Sequence, residues 1–382
     1  MGGGRRSRKY GVGVTGISGT QQRLKRYPYL AINLIFRIIF CRNIFHSGRE
    51  VMMFKKGLAI FSVSLVGLLL LGSAYQASQQ NRDRLAFPAP GAFYFVDGLR
   101  LHLDCRGSGA PVLVMEAGLS SGSISWDLVH DALARETRVC AYDRPGIDWS
   151  EPIDRVVDAK EISGRLNQLL TLAEVDGPKI LLGMSAGGIY VREFYKNHPK
   201  DIVGMVLVDS SHEQQQILLP TFEGEDSAFS FLEACRLLQP FGLVRISGVA
   251  RDILDEMGLE KRLKDKMLAS VSQSHACSAM YWEGQSFKEE IIDKVPPESI
   301  GDLPLLVLSR GKAPSAYPEY GITLEQATAS DDAWGELQRQ LMGLSTRGRR
   351  YSSEQSGHVI QLEQPLWLIE KVNAFVLEVR EL

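Results

Sequence analysis

Nineteen consecutive positions without a charge, residues 57–75 (GLAIFSVSLVGLLLLGSAY), stand out from an otherwise mixed pattern. As a helix rising 1.5 Å per residue, such a stretch reaches about 28 Å, the thickness of a bilayer's hydrocarbon core. Lys55 and Lys56 precede it and polar residues 76–84 follow. The pattern predicts one membrane span, read as a signal anchor. A cleaved signal peptide is the alternative, because Gly72-Ser73-Ala74 supplies small residues at a cleavage position. The two lysines assign the N-terminus to the cytoplasm and the rest of the chain to the far side. Residues 27–45 are also apolar, but Arg37 and Arg42 break them, so they read as interfacial. Met52 and Met53 would begin a conventional signal-like sequence, which makes residues 1–51 an upstream extension.

From Pro88 onward, short apolar runs alternate with helical periods. Strand-like runs fall at residues 92–96, 99–104, 112–116, 138–142, 179–184, 202–208, 303–308 and 349–353. The first two form a hairpin about Asp97-Gly98, a tight-turn pair. Helical patterns lie at 126–135, 159–173, 187–197, 332–344 and 365–379. Apolar strands separated by helices predict an α/β fold, a mostly parallel eight-stranded sheet covered on both faces. Between residues 211 and 301 the rhythm gives way to leucine-rich helical stretches, too long for a connection in a compact sheet. It reads as a helical cap inserted after strand six. The expected organisation is a basic extension (1–56), a span (57–75), a polar linker (76–87), a core (88–210 and 302–382) and the cap (211–301).

Charge sharpens this division. Residues 1–56 carry twelve Lys/Arg and one acid, whereas the remainder carries 31 basic and 44 acidic residues. A cationic leader on an acidic body points to a membrane, and the net charge of -2 gives no footprint for nucleic acid. Gly11, Gly13 and Gly16 match G-x-G-x-x-G, but no strand precedes them, so no nucleotide or other cofactor is expected. The five cysteines show no metal-ligand spacing, and no metal is expected. Cys105 and Cys140, in strand-like segments, read as buried free thiols. Cys235 and Cys277 are candidates to pair within the cap if the body is extracytoplasmic.

The chemistry centres on Gly183-Met184-Ser185-Ala186-Gly187. G-x-S-x-G is weak alone, but here it follows an apolar strand and opens a helix, the setting that holds a serine hydroxyl in a strained turn. Ser185 is the expected nucleophile, and it requires a histidine base. Of seven histidines, His358 follows the last strand at the C-terminal edge of the sheet, and His212 is the alternative. His212-Glu213-Gln214-Gln215-Gln216 lacks the second histidine of a zinc-hydrolase motif. For the third member, residues 309–314 after strand seven offer no carboxylate, whereas strand six ends in Asp209. Adjacent strands lie about 4.8 Å apart, so an imidazole fits between Asp209 and Ser185. Asp331 and Asp332 are the alternatives. Acyl transfer also needs oxyanion donors. These are assigned to the N–H of Ala186 and the N–H of Leu119, in the Gly/Ser-rich loop after strand three.

Five segments occur in the order seen in the alpha/beta-hydrolase superfamily: Leu99-Arg100-Leu101-His102, the loop 116–123 with Trp126, residues 141–152 (AYDRPGIDWSEP), the elbow at Ser185, and Ser356-Gly357-His358. The chain resembles the membrane-anchored bacterial members with one N-terminal span, over about residues 86–380. It departs at Met184, where histidine is frequent, at Asp148, where glycine is common, and in the missing acid after strand seven. The resemblance implies a serine hydrolase. The expected substrate is a small-molecule carboxylic ester, hydrophobic or lipid-like, cleaved through an acyl-enzyme. The alternatives are a peptidase, a C–C bond hydrolase, or a membrane-tethered binding protein on an inactive hydrolase scaffold. Apolar cap side chains, among them Leu237, Leu238, Phe241, Met280 and Trp282, serve either a ligand or the cap's own core.

Overall fold

The computed structural model describes residues 48–220, 225–291, 297–315 and 322–382. The glycine motif at residues 11–16, the apolar stretch 27–45 and most of the basic extension lie outside them. The chain divides into two compact units, residues 1–67 and 68–382, and the division falls inside helix α1 (Gly48–Ala86). In the first unit, every large apolar side chain described on α1 is exposed, including Ile60, Phe61, Val63 and Val66. Among the described residues this is the one helix long and apolar enough to cross a membrane, with a mean hydropathy of 2.1 in its most apolar window. The helix runs on through residues 76–86, the segment read as a polar linker.

The second unit is built on eight strands: β1 (Ala92–Val96), β2 (Leu99–Arg106), β3 (Val112–Glu116), β4 (Val139–Tyr142), β5 (Lys179–Met184), β6 (Ile202–Val208), β7 (Leu305–Arg310) and β8 (Gly348–Ser353). Their order in the sheet is β1-β2-β4-β3-β5-β6-β7-β8, and every pairing from β4 through β8 is parallel. The β1–β2 hairpin turns at Asp97 (φ 47°) and Gly98 (φ 79°), the pair of left-handed residues that a two-residue turn matched to strand twist requires.

The helices flanking the sheet are α2 (His130–Leu133), α3 (Ala159–Leu172) and α4 (Ala186–Asn197). Between β6 and β7 come α5 (Gln215–Leu218), α6 (Glu225–Leu238), α7 (Leu243–Ser247), α8 (Val249–Glu256), α9 (Lys261–Val271) and α10 (Ala276–Ile291). The chain ends with α11 (Leu324–Met342), α12 (Ile360–Glu363) and α13 (Pro365–Arg380). Alternation along the strands divides the core. Val114, Leu181 and Leu207 face Leu166 and Leu169 of α3 and Phe194 of α4. Leu113, Met115, Ile180 and Leu182 face Leu133 of α2 and Leu368, Val372 and Phe375 of α13.

Several boundaries differ from expectation. The pattern at 126–135 folds as a 3-10 turn (Ser123–Trp126) followed by the single turn of α2. Helix α11 starts at Leu324, not Asp332, because Thr323 and Gln326 form a reciprocal capping box. The free-thiol reading of Cys105 and Cys140 is corrected: they are direct partners across the antiparallel β2–β4 ladder, with Cα atoms 4.0 Å apart, and form a disulfide. Cys235 and Cys277 also pair, tying α6 to α10.

Asp148 joins the core to the cap. It occupies φ 43°, a conformation that explains why glycine is common there. Its carboxylate accepts from Ser270 Oγ of α9 at 2.6 Å and from the Ile124 N–H at 3.1 Å. Burial, reinforced by the nearby Asp143 charge, pushes its pKa from 3.8 up to about 7. Between those values the folded protein holds a proton that the unfolded chain has released. Stability from this group is therefore lost as pH rises across the window, and the loss is complete above it. Asp148→Asn should remove the dependence. The melting temperature of the variant relative to the parent should climb from pH 4 to pH 7 and then level off; a constant difference would contradict the assignment.

Candidate active site

Strand β5 ends directly in Ser185, which opens α4 with φ 51° and ψ -124°. A non-glycine residue in this conformation is strained and is retained only where its surroundings over-determine it. Here Gly183 and Gly187 provide the room: a Cβ on Gly183 would overlap the backbone of Gly187, and one on Gly187 would overlap the carbonyl of Glu116. Two amides anchor the turn, with Ser185 N–H donating to the Val208 carbonyl and Ser211 N–H to the Ser185 carbonyl.

His358, in the loop after β8, places Nε2 3.0 Å from Ser185 Oγ and Nδ1 2.6 Å from Asp209 Oδ2. With Nδ1–H donating to Asp209, Nε2 is free to accept from the serine hydroxyl. Asp209 is fully buried at the end of β6, with φ 40°. Its other oxygen, Oδ1, accepts from the Arg310 N–H at 3.0 Å and from Trp334 Nε1 at 2.9 Å. The Trp334 indole also meets the His358 ring edge to face, centroids 5.8 Å apart, and the Arg310 guanidinium lies over the indole. Trp334 and Arg310 were not singled out from sequence. The available signal was the spacing of Trp334, Leu337, Gln338 and Leu341, one buried face of α11.

The other candidates make different contacts. His212 Nδ1 accepts from the Gln214 N–H, and burial lowers its pKa to about 4. Asp331 pairs with Arg310 at 3.0 Å, and Asp332 is exposed on α11. A second His–carboxylate pair, His102 with Asp143, is buried, and its remaining ring nitrogen is taken by the Pro90 carbonyl, which leaves it no hydroxyl to act on. His358 also borders a cavity of about 300 Å³ lined by Lys312, Pro314, Ile322 and Asp331. Among the described residues, no group of three or more His, Cys, Asp or Glu is placed to hold a metal.

The loop carrying Leu119 presses on Ser185: a Cβ at Gly118 would stand 2.8 Å from Met184 Sδ and 3.3 Å from Ser185 Cβ. Ala186 is the first residue of α4, so its N–H has no partner one turn back. The loop shape is held by a buried arginine. Arg144 donates to the carbonyls of Ala117 (2.9 Å), Gly118 (2.6 Å) and Ser121 (3.0 Å), and pairs with Glu116 and, at 2.6 Å, with Glu283 of α10. The Ser120 N–H donates to the same Glu283 carboxylate, with Ser120 at φ 57°. Burial opposes the Arg144 charge, but Glu283 and Glu116 hold its pKa well above the ordinary value.

A sequence profile described as the alpha/beta hydrolase family matches residues 101–371. An uncharacterised protein of Schizosaccharomyces pombe is 26% identical over 298 residues, 69% of this chain and 51% of its own length. The chain spans about half the length of the first curated relatives it matches, 51% and 45%. Among solved structures, a thermophilic esterase from Thermogutta terrifontis superposes with a TM-score of 0.54 at 16% identity, over 76% of this chain and 99% of that one. A protein described as a membrane phospholipase A superposes with a TM-score of 0.52 at 20% identity, over 87% of this chain and all of that one. At these identities the likeness is one of fold.

Glu283 is the cap's hold on this loop. Glu283→Ala should leave Arg144 Nε and the Ser120 N–H without their acceptor, while Glu116 still pairs with Arg144, and cost about 1–3 kcal/mol in urea unfolding. Amide hydrogen exchange at Ser120 and Ser121 should accelerate, with little change at β5. Unchanged exchange in the loop would show that Arg144 holds it without the cap.

Proposed function

The chain belongs to the alpha/beta hydrolase family, and from that premise we propose that it is a serine hydrolase cleaving a carboxylic ester with a hydrophobic or lipid-like acyl group. The observation that carries this reading is the chain of contacts from Ser185 Oγ to His358 Nε2 to Asp209 Oδ2, at 3.0 and 2.6 Å. In the proposed reaction Ser185 Oγ attacks the ester carbonyl while its proton passes to His358 Nε2. The N–H groups of Leu119 and Ala186 receive the developing oxyanion. His358 then gives its proton to the leaving alcohol, and an acyl-enzyme forms on Ser185. A water activated by the same histidine releases the acid. Asp209 keeps the imidazole in the productive tautomer and offsets its transient positive charge.

The lipid-like substrate is supported by α1, which would hold the enzyme at a surface made of ester-bearing molecules. An extracytoplasmic body is supported by Lys55 and Lys56 ahead of the apolar run and by two disulfides, Cys105–Cys140 and Cys235–Cys277, which persist in oxidising compartments.

Ser185→Ala should abolish labelling by a fluorophosphonate and lower kcat on short-chain esters by about 10⁶. Turnover at the parent rate would sink the assignment. Asp209→Asn should cost about 10⁴ in kcat, while Asp331→Asn, whose carboxylate faces Arg310, should cost little. The reverse ranking would move the acid to the later loop.

For topology, alkaline phosphatase fused after Arg84 should be active and the same reporter fused before Lys55 inactive. A soluble product with a new N-terminus near Tyr75 would establish a cleaved signal instead.

A further inference from the structure

Four large apolar side chains lie exposed within ten residues of the cap: Leu237 (68%), Leu238 (43%), Leu243 (45%) and Ile246 (63%). They flank the turn at Phe241 and Gly242, and that turn sits against the last apolar residues of α1. A Cβ on Gly72 would overlap the Phe241 carbonyl, and one on Gly242 would stand 3.0 Å from the Tyr75 ring. Below this contact the same helix face continues to bind the cap through polar groups. Gln76 donates to the Ser272 carbonyl at 2.7 Å, Gln80 meets Gln273 at 3.3 Å and accepts from the Ser274 N–H, and Asp83 pairs with Arg245 at 2.6 Å. Residues 72, 76, 80 and 83 form one stripe about 16 Å long.

The cap is therefore docked on α1 from a point where the helix is still apolar. Helix α7 divides accordingly. Its Arg245 turns inward to Asp83, Gln76 and the Ser272 carbonyl, while Leu243 and Ile246, three residues apart, point away to solvent. On α1, Leu68, Leu70 and Leu71 just before the contact are likewise exposed.

We propose that the corner of the cap formed by Leu237, Leu238, Leu243 and Ile246 is a lipid-binding surface, seated in the interfacial layer of the bilayer that α1 crosses. This rests on the reading of α1 as a span. The level of the corner is set by its contacts: the Phe241–Gly242 turn is level with Gly72 and Tyr75, and a tyrosine at the end of an apolar run marks the headgroup region. Short apolar faces at that depth bury in the headgroup–acyl boundary. Lipid is the occupant because the Phe241–Gly242 turn that these side chains flank packs against Gly72 and Tyr75, where the exposed apolar run of α1 ends.

The test uses the full-length chain, carrying Cys41→Ser, in phosphatidylcholine–phosphatidylglycerol vesicles. An environment-sensitive fluorophore is placed singly at Leu243→Cys or Ile246→Cys. Leu68→Cys serves as the in-membrane reference, and Leu172→Cys, exposed on α3, as the aqueous reference. Probes at 243, 246 and 68 should shift to the blue and lose roughly twofold or more of their emission when brominated lipids replace ordinary ones, and the probe at 172 should do neither. Quenching at 68 without quenching at 243 and 246 would overturn the lipid surface while leaving the span intact. No quenching at 68 would remove the span and the proposal with it. Cross-linking between copies through Leu243→Cys, with no quenching by lipid, would identify a second chain as the occupant and overturn the proposal.

Discussion

A fully buried carboxylate must be satisfied from every side or it is expelled or neutralised, and Asp209 is such a group. Its position at the end of β6 leaves one oxygen facing His358 and the other receiving two donors, the Arg310 amide and the Trp334 indole. Each donor arrives on a different element, β7 and α11, so the acid ties the sheet to the last helical layer before it orients the imidazole. Ser185 is held independently, through the backbone of β6 and the residues just beyond it. Ser185 and Asp209 thus stand side by side because β5 and β6 end at one level, His358 reaches both from the loop after β8, and the cap begins where β6 stops.

Much of this was legible in the sequence because the central strands are buried on both faces. Burial leaves uninterrupted apolar runs such as Ile180-Leu181-Leu182 and Met205-Val206-Leu207-Val208, and a turn following such a run carries the chemistry. Asp209 was accessible by the same logic, through strand spacing alone. The Cys105–Cys140 disulfide was not, because it depends on which residues the β2–β4 register sets opposite each other. Trp334, Arg310 and Glu283 were missed for a related reason. Their partners lie 125, 101 and 163 residues away in sequence, and no local pattern encodes such pairs. Residues 76–86 show a third kind of gap. Their sequence has no apolar stripe, and the structure instead ties one face of the helix to the cap through glutamine amides and an aspartate.

The cap joins these parts mechanically. Helix α10 carries Glu283 to the loop beside Ser185, and Cys277 on the same helix is bonded to Cys235 of α6. Helix α6 leads directly into the Phe241–Gly242 turn that rests on α1. A displacement at that turn therefore meets the Cys235–Cys277 cross-link before it reaches the loop that carries Leu119.

Residues 309–314 carry no carboxylate, and Arg310 stands where β7 ends. At the end of β7, where the sequence has no carboxylate, the backbone N–H of this residue supports the Asp209 carboxylate. Its guanidinium spans the Trp334 face and reaches Asp331. A carboxylate added at this point would stand beside Asp209, and two such groups a few ångströms apart cannot both ionise without cost. The Arg310 N–H and the Trp334 indole N–H instead satisfy the Asp209 carboxylate as hydrogen-bond donors. The end of β7 thus supplies a donor to the carboxylate at the end of β6, and not a second carboxylate beside it.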